Sequence, residues 1–253
     1  MMLDFASIAL AAGAGMLAGA MNALAGGGTF ATLPALIAIG LPANMANATS
    51  NVALVPGAAA SAWTYRDELA PVGGMGWPVL ASVTAVMGLV GSTLVVLTPS
   101  DAFDIIIPWL LLFAFIVMLF GRQAGVWLRA RVTIGVRTLL VTQALLGIYG
   151  GYFGGGVRLI ATAVYGLLAG INPREMFAIR TLMLLLANLA AALVFIVCGL
   201  VDWAACLPML VGGIAGGWLG AQVGRRLNAT IVRWWTLIMT AGTTIIFFVR
   251  AYG

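Results

Sequence analysis

Histidine and lysine are absent from this 253-residue chain, cysteine occurs only twice, and acidic residues number seven. With Cys198 and Cys206 as its only thiols and no imidazole at all, the chain has almost no raw material for a nitrogen- or sulfur-ligated metal site or for histidine acid/base chemistry. No Asp or Glu stands in the middle of a long apolar stretch, so a proton relay through buried carboxylates has no obvious members. Neither a metal nor a cofactor is expected, and an enzyme is the least supported class. Charge as a whole is scarce: 8% of residues are charged, against about 25% in a soluble domain.

What is present is apolar. Hydrophobic residues make up 63% of the chain and the mean hydropathy is +1.12. Stretches such as Met176 to Leu200 and Ile231 to Val249 reach the roughly 20 residues that cross a hydrocarbon core as helix. The fold expected is an all-α integral membrane protein, a polytopic helical bundle. The opening stretch, Leu3 to Ala25, has no basic n-region and reads as a retained span rather than a signal peptide. All twelve basic residues are Arg, and the formal charge of +5 speaks to loop placement in such a chain, not to nucleic acid.

Glycine, proline and charge clusters punctuate the chain into five apolar segments per half. They run approximately over 5–25, 29–40, 43–64, 71–98 and 103–121, then over 138–150, 157–170, 174–199, 203–224 and 231–249. About 8 to 10 of these are membrane segments, the second of each half being too short to span comfortably alone. The stretch between halves holds Arg122, Arg129, Arg131 and Arg137 without an acid, and Arg225, Arg226 and Arg233 crowd the last loop. The positive-inside rule makes both cytoplasmic and puts the connections with Asp101, Asp104 and Asp202 on the other face. The halves then have opposite orientation.

A shift of about 128 residues lays Gly19 on Gly147 and Gly26, Gly27, Gly28 on Gly154, Gly155, Gly156; small gaps bring Met45 onto Met176, Pro78 onto Pro208, and Gly88 and Gly91 onto Gly217 and Gly220. Such internal symmetry of inverted halves is a transporter signature. The expected organisation is a first membrane repeat over 1–121, a basic cytoplasmic linker over 122–137 and a second repeat over 138–253.

Three adjacent glycines unwind a helix, and backbone freed inside a membrane needs partners or a water-filled cavity. Glycine every fourth residue instead suits close helix packing, which is the reading for Gly88, Gly91, Gly217 and Gly220. A half-helix starting after each triplet aims amide N–H groups and the positive end of its dipole at the space between the repeats. Arg158 follows the second triplet and Arg180 lies a turn into the next long segment. A guanidinium near hydrocarbon costs from about 3 to well above 10 kcal/mol, and its donor fork suits sulfonate, phosphate or carboxylate oxygens. Snorkelling, or a pair between Arg180 and Glu175, is the competing account. Asn44, Asn47, Thr49, Ser50 and Asn51 in half one, and Thr181 and Asn188 in half two, cluster at equivalent places. They suit either a hydrogen-bonding shell for a substrate or helix–helix adhesion.

The chain resembles the TauE/SafE family of sulfite and organosulfonate exporters, also called the 4-toluene sulfonate uptake permease family. The resemblance rests on Gly19 to Gly28, Pro34, Gly40-Leu-Pro42 and Ala48-Thr49-Ser50 in the first half. In the second it rests on Gly147 to Gly156, Gly199-Leu-Val-Asp202-Trp203 and the glycine-laced run ending Gly220 to Leu227. It implies transport of sulfur-containing or carboxylate-bearing anions across a prokaryotic cytoplasmic (inner) membrane, with the two glycine-rich repeats around the substrate. The second copy lacks the proline that follows the first triplet, and has Arg180-Thr181 where the first has Thr49-Ser50, so half two supplies the charge. The expected substrate-binding residues are Asn22, Gly26, Gly27, Gly28, Thr49, Ser50, Asn51, Gly154, Gly155, Gly156, Arg158, Arg180, Thr181 and Asn188. The partners expected are a small anionic substrate and the lipid bilayer, with a homodimer compatible with the sequence. A membrane insertase-like chaperone and an anion channel are the rival readings.

Overall fold

The computed structural model describes residues 4–24, 26–129, 135–168, 173–224 and 229–253, without the side chains of 121–129, 159, 163, 166–168, 173–175, 224 and 229. Among the described residues ten α-helices follow one another: α1 Phe5–Leu24, α2 Thr29–Ala38, α3 Ala43–Thr64, α4 Trp77–Leu97, α5 Ser100–Arg129, α6 Val136–Tyr152, α7 Val157–Leu168, α8 Pro173–Val197, α9 Trp203–Gly224 and α10 Ala229–Tyr252. Six of them, α1, α4, α5, α8, α9 and α10, are long and apolar enough to cross a membrane. α6 falls one residue short of that length class, and α3 is diluted by Asn44, Asn47 and Asn51, two of which it buries at the centre of the bundle. The outer surface is apolar. Leu207, Val211, Ile214 and Trp218 line one exposed face of α9 at helical spacing, and Val86, Leu89, Val90 and Leu94 do the same on α4, as lipid contact demands. The fold is thus an all-α, polytopic membrane bundle. α5 runs on to Arg129 through the position expected to end the first repeat, and much of the basic stretch lies outside the described residues.

Glycine sets which helices touch. On α9, Gly212, Gly216 and Gly220 stand one turn apart, and a methyl group on each would collide with the backbone of Ala12, Met16 and Ala20 of α1. Gly15 and Gly19 make the reciprocal approach to Met209 and Gly213. α4 and α6 share the same kind of seam, Gly91 against the Ile148 carbonyl and Gly151 against that of Gly88. Small-residue faces let backbones approach where lipid offers no hydrophobic drive for association. Gly88, Gly91 and Gly220 therefore do the packing work expected of them.

Residue numbers rise together along the α1–α9 and α4–α6 seams, so each pair is parallel. α3 runs parallel to α9, through Thr49 to Asp202 and Leu54 to Gly213, and α4 parallel to α8, through Thr84 to Met183 and Gly88 to Ala187. α3 and α8 are antiparallel, Asn51 meeting Asn188 while Tyr65 meets Phe177. α5 and α10 are antiparallel as well, Asp104 meeting Arg250 while Leu119 meets Arg233. Four of the five helices of the first series thus run against their counterparts in the second: α1 against α6, α3 against α8, α4 against α9, α5 against α10. α5 lies antiparallel to α6, Phe103 meeting Tyr152 and Leu110 meeting Tyr149. α3, α5 and α9 therefore end on one side, where Arg66 lies, and Asp101, Asp104 and Asp202 lie on the other. Arg225 and Arg226 fall outside the described residues. Arg250, on the acidic side, is held 3.5 Å from Asp104.

Two measurements check this arrangement. Gly15→Ala places a methyl against the Met209 backbone, whereas a methyl at Gly13 in the same helix meets nothing within 4 Å. Gly15→Ala is expected to cost about 1–3 kcal/mol, read as a lowered melting temperature in detergent, and Gly13→Ala to cost nothing. Cys198 is exposed at the end of α8 and Cys206 is buried, so a membrane-impermeant maleimide added to intact cells should label Cys198 and spare Cys206. Labelling confined to inside-out vesicles would reverse the orientation.

Candidate functional site

Both glycine triplets interrupt helices inside the bundle. At the first, α1 stops at Leu24, Gly26 and Gly27 take φ of 95° and 91°, and α2 begins after Gly28. At the second, α6 stops at Tyr152, Gly154 and Gly156 take φ of 70° and 75°, and α7 begins at Val157. That left-handed backbone favours glycine. The freed groups find local partners. Asn22 Oδ1 accepts the Gly28 N–H at 2.9 Å, and the Tyr149 hydroxyl donates to the Gly155 carbonyl at 2.9 Å.

The two breaks are in contact through Arg158. Its stem lies against Gly26, where a Cβ would fall 3.1 Å from Arg158 Cδ. Its guanidinium donates to the Asn22 carbonyl, placing a cation at the negative end of α1. Arg180 reaches the same region from α8 and donates to the Thr162 hydroxyl, which itself donates to the Arg158 carbonyl at 2.7 Å. The guanidinium carbons of Arg158 and Arg180 lie 5.9 and 4.5 Å from the centre of the Phe177 ring, and Phe177 packs on Tyr65 at 4.5 Å.

Arg158 is 5% exposed, and the Nε–H of each arginine is buried without a hydrogen-bond partner. Among the described residues the ion pairs are Arg66 with Asp67 and Arg250 with Asp104, so neither Arg158 nor Arg180 has an acid beside it there. Glu175, the competing partner for Arg180, has its side chain outside the described residues. An orphaned buried donor costs about 1–3 kcal/mol, and two guanidiniums sharing one aromatic ring repel each other. An oxyanion between them relieves both penalties.

The remaining expected residues separate from this pair. Asn51 Nδ2 donates to Asn188 Oδ1 at 3.4 Å, beside Gly154. Thr49 accepts the Asp202 N–H at 3.0 Å on the acidic side of the bundle. Ser50 and Thr32 share a hydrogen bond between α3 and α2, and Thr181 donates to the Phe177 carbonyl of its own helix at 2.7 Å. Tyr65, Thr162 and Phe177 carry no signal in the sequence, being ordinary residues for apolar segments. Little more marks the fully buried chain in which Tyr165 donates to Gln143 and Gln143 to Thr84; it clamps α7, and with it Arg158, to α6 and α4. A glutamine inside an apolar run was its one visible signal.

The family model described as Sulfite exporter TauE/SafE matches residues 11–247. A "Probable membrane transporter protein" of Haemophilus influenzae is 29% identical over 227 residues, covering 89% of this chain and 88% of that protein. The "Probable membrane transporter protein YfcA" of Escherichia coli K12 is 28% identical over 89% of this chain and 84% of its own length. The "Probable membrane transporter protein ORF9" of a Sinorhizobium species is 30% identical over 84% and 80%. No solved structure matches the chain significantly. A glycine-broken bundle of membrane helices, matched by one family model across nearly its whole length, makes this a multi-pass protein of the prokaryotic inner membrane that belongs to the sulfite exporter TauE/SafE family of membrane transporters.

Proposed function

We propose that the chain carries a small oxyanion, sulfite, an organosulfonate or a related carboxylate, as a secondary transporter or facilitator and not as an enzyme. The substrate sits between the two breaks against Arg158 and Arg180. One observation supports this reading above others: two guanidinium groups, each with a buried and unpartnered Nε–H donor, flank a single aromatic ring beside the first glycine break. The family's description as sulfite exporters agrees with it. Thr162 and Phe177 complete the wall from α7 and α8, and Gly26 keeps the opposite wall low enough for the Arg158 stem to pass.

The repeats over 1–121 and 138–253, joined by 122–137, are then not the moving units. Their helices are exchanged: α1 is seamed to α9 and α4 to α6. Alternating access rocks a bundle of α1, α3 and α9 against one of α4, α6 and α8, with the α3–α8 crossing as the line of movement.

Purified protein in liposomes tests this by sulfite or taurine counterflow. Wild type is expected to saturate and to exchange. Arg158→Gln and Arg180→Gln are each expected to lower transport at least tenfold, in keeping with loss of a charge-assisted contact to a desolvated anion. Flux left unchanged by the double variant sinks the anion site. Flux without saturation or counterflow makes the chain a channel, and an absent thermal response to any of a broad panel of oxyanions favours the insertase-like reading.

A further inference from the structure

A second polar cluster lies beside the second break, and its unpartnered atoms are acceptors, not donors. Asn47 and Asn51 stand one turn apart on α3 and are 2% and 7% exposed. Asn47 Nδ2 donates to the Tyr152 carbonyl at 3.0 Å and Asn51 Nδ2 to Asn188 Oδ1. Both amide nitrogens are thus committed to the junction where α6 ends, and the Oδ1 atoms of Asn47 and Asn51 are left buried without a partner. Gly154 borders the same junction: a Cβ there would lie 3.5 Å from Asn188 Oδ1, Asn51 Nδ2 and the Gly150 carbonyl oxygen. The Gly154 N–H turns to the Tyr149 carbonyl at 3.3 Å and away from that of Gly150.

The chemistry of these atoms selects a ligand class. Unpartnered amide oxygens repel an anion and attract a cation or a donor. The carboxyl end of α6 adds its negative dipole end, and uncoiled carbonyls with half-helix C-termini are the usual cation ligands in transporters built this way. No carboxylate belongs to the set, whereas calcium and magnesium sites draw on carboxylates, and amides do not titrate. The related end of α1 already receives a cation, the Arg158 guanidinium on the Asn22 carbonyl. The Tyr152 carbonyl at the end of α6 receives the neutral Asn47 amide instead.

We propose that Asn47, Asn51 and Asn188, with the Gly150 carbonyl, bind a monovalent alkali cation at the end of α6. The binding stands by itself; that the cation travels with the oxyanion rests on the function proposed above.

The test is thermal unfolding of the purified protein in detergent without any oxyanion, in NaCl, KCl or choline chloride of equal concentration. Sodium or potassium is expected to raise the melting temperature saturably over choline, by about 3 °C or more at ten times its half-saturating concentration. Asn47→Leu and Asn51→Leu are each expected to raise that concentration at least tenfold. If neither cation exceeds choline, an ordered water completes the amides and the proposal is overturned; a response that survives both Leu variants overturns the location. Should the Leu variants fail to fold, Asn47→Asp replaces the amide that donates to the Tyr152 carbonyl with a second oxygen, so that the two facing acceptors need a cation between them; the response is expected to tighten, and an unchanged half-saturation counts against the site. Because no oxyanion is present, a negative result leaves the arginine site standing.

Discussion

A helix that stops within hydrocarbon leaves amides and carbonyls that lipid cannot satisfy, each at a cost of several kcal/mol. The structure is organised around two such stops. At the first, Asn22 takes up one amide with its side chain and gives its own carbonyl to Arg158. At the second, Tyr149 and Asn47 serve the loose backbone. Meeting that requirement brings polar side chains from α1, α3 and α6 to the centre of an otherwise apolar bundle. It also makes the two stops unequal, one closed by a cation and one by neutral amides.

The exchanged seams explain how a chain of two opposed halves becomes one body. Were each half to pack only upon itself, the breaks would lie in separate bundles. Glycine faces instead join α1 to α9 and α4 to α6, which draws α3 and α8 across each other and puts Gly26 beside Arg158.

Much of this was legible in composition and punctuation. The apolar runs mark the helices well because glycine and proline fall at their ends: α2 begins at Thr29 and α7 at Val157, immediately after their triplets. At Gly121 the apolar run ends but the helix does not. A lone glycine costs a helix only about 1 kcal/mol, and α5 continues to Arg129. Arg158 and Arg180 stood out because guanidinium is rare in apolar sequence. Their companions did not, since nothing local distinguishes Phe177 or Thr162 from residues that face lipid. The partner of a hydroxyl is equally invisible in a linear reading: Thr49 and Thr181 look equivalent in sequence, yet one reaches the loop before α9 and the other its own helix.

The seam between α1 and α9 has a consequence for biogenesis. About 180 residues separate the end of α1 from the start of α9, and at about 5–20 residues per second the ribosome needs roughly 10 to 40 seconds to supply them. Throughout that interval the glycine face of α1 lacks α9, and for most of it the Asn22 carbonyl waits for Arg158 to be synthesised. The nascent first half must therefore be held in the membrane by the insertion machinery or by lipid, and the breaks acquire their final geometry only after the second half has entered.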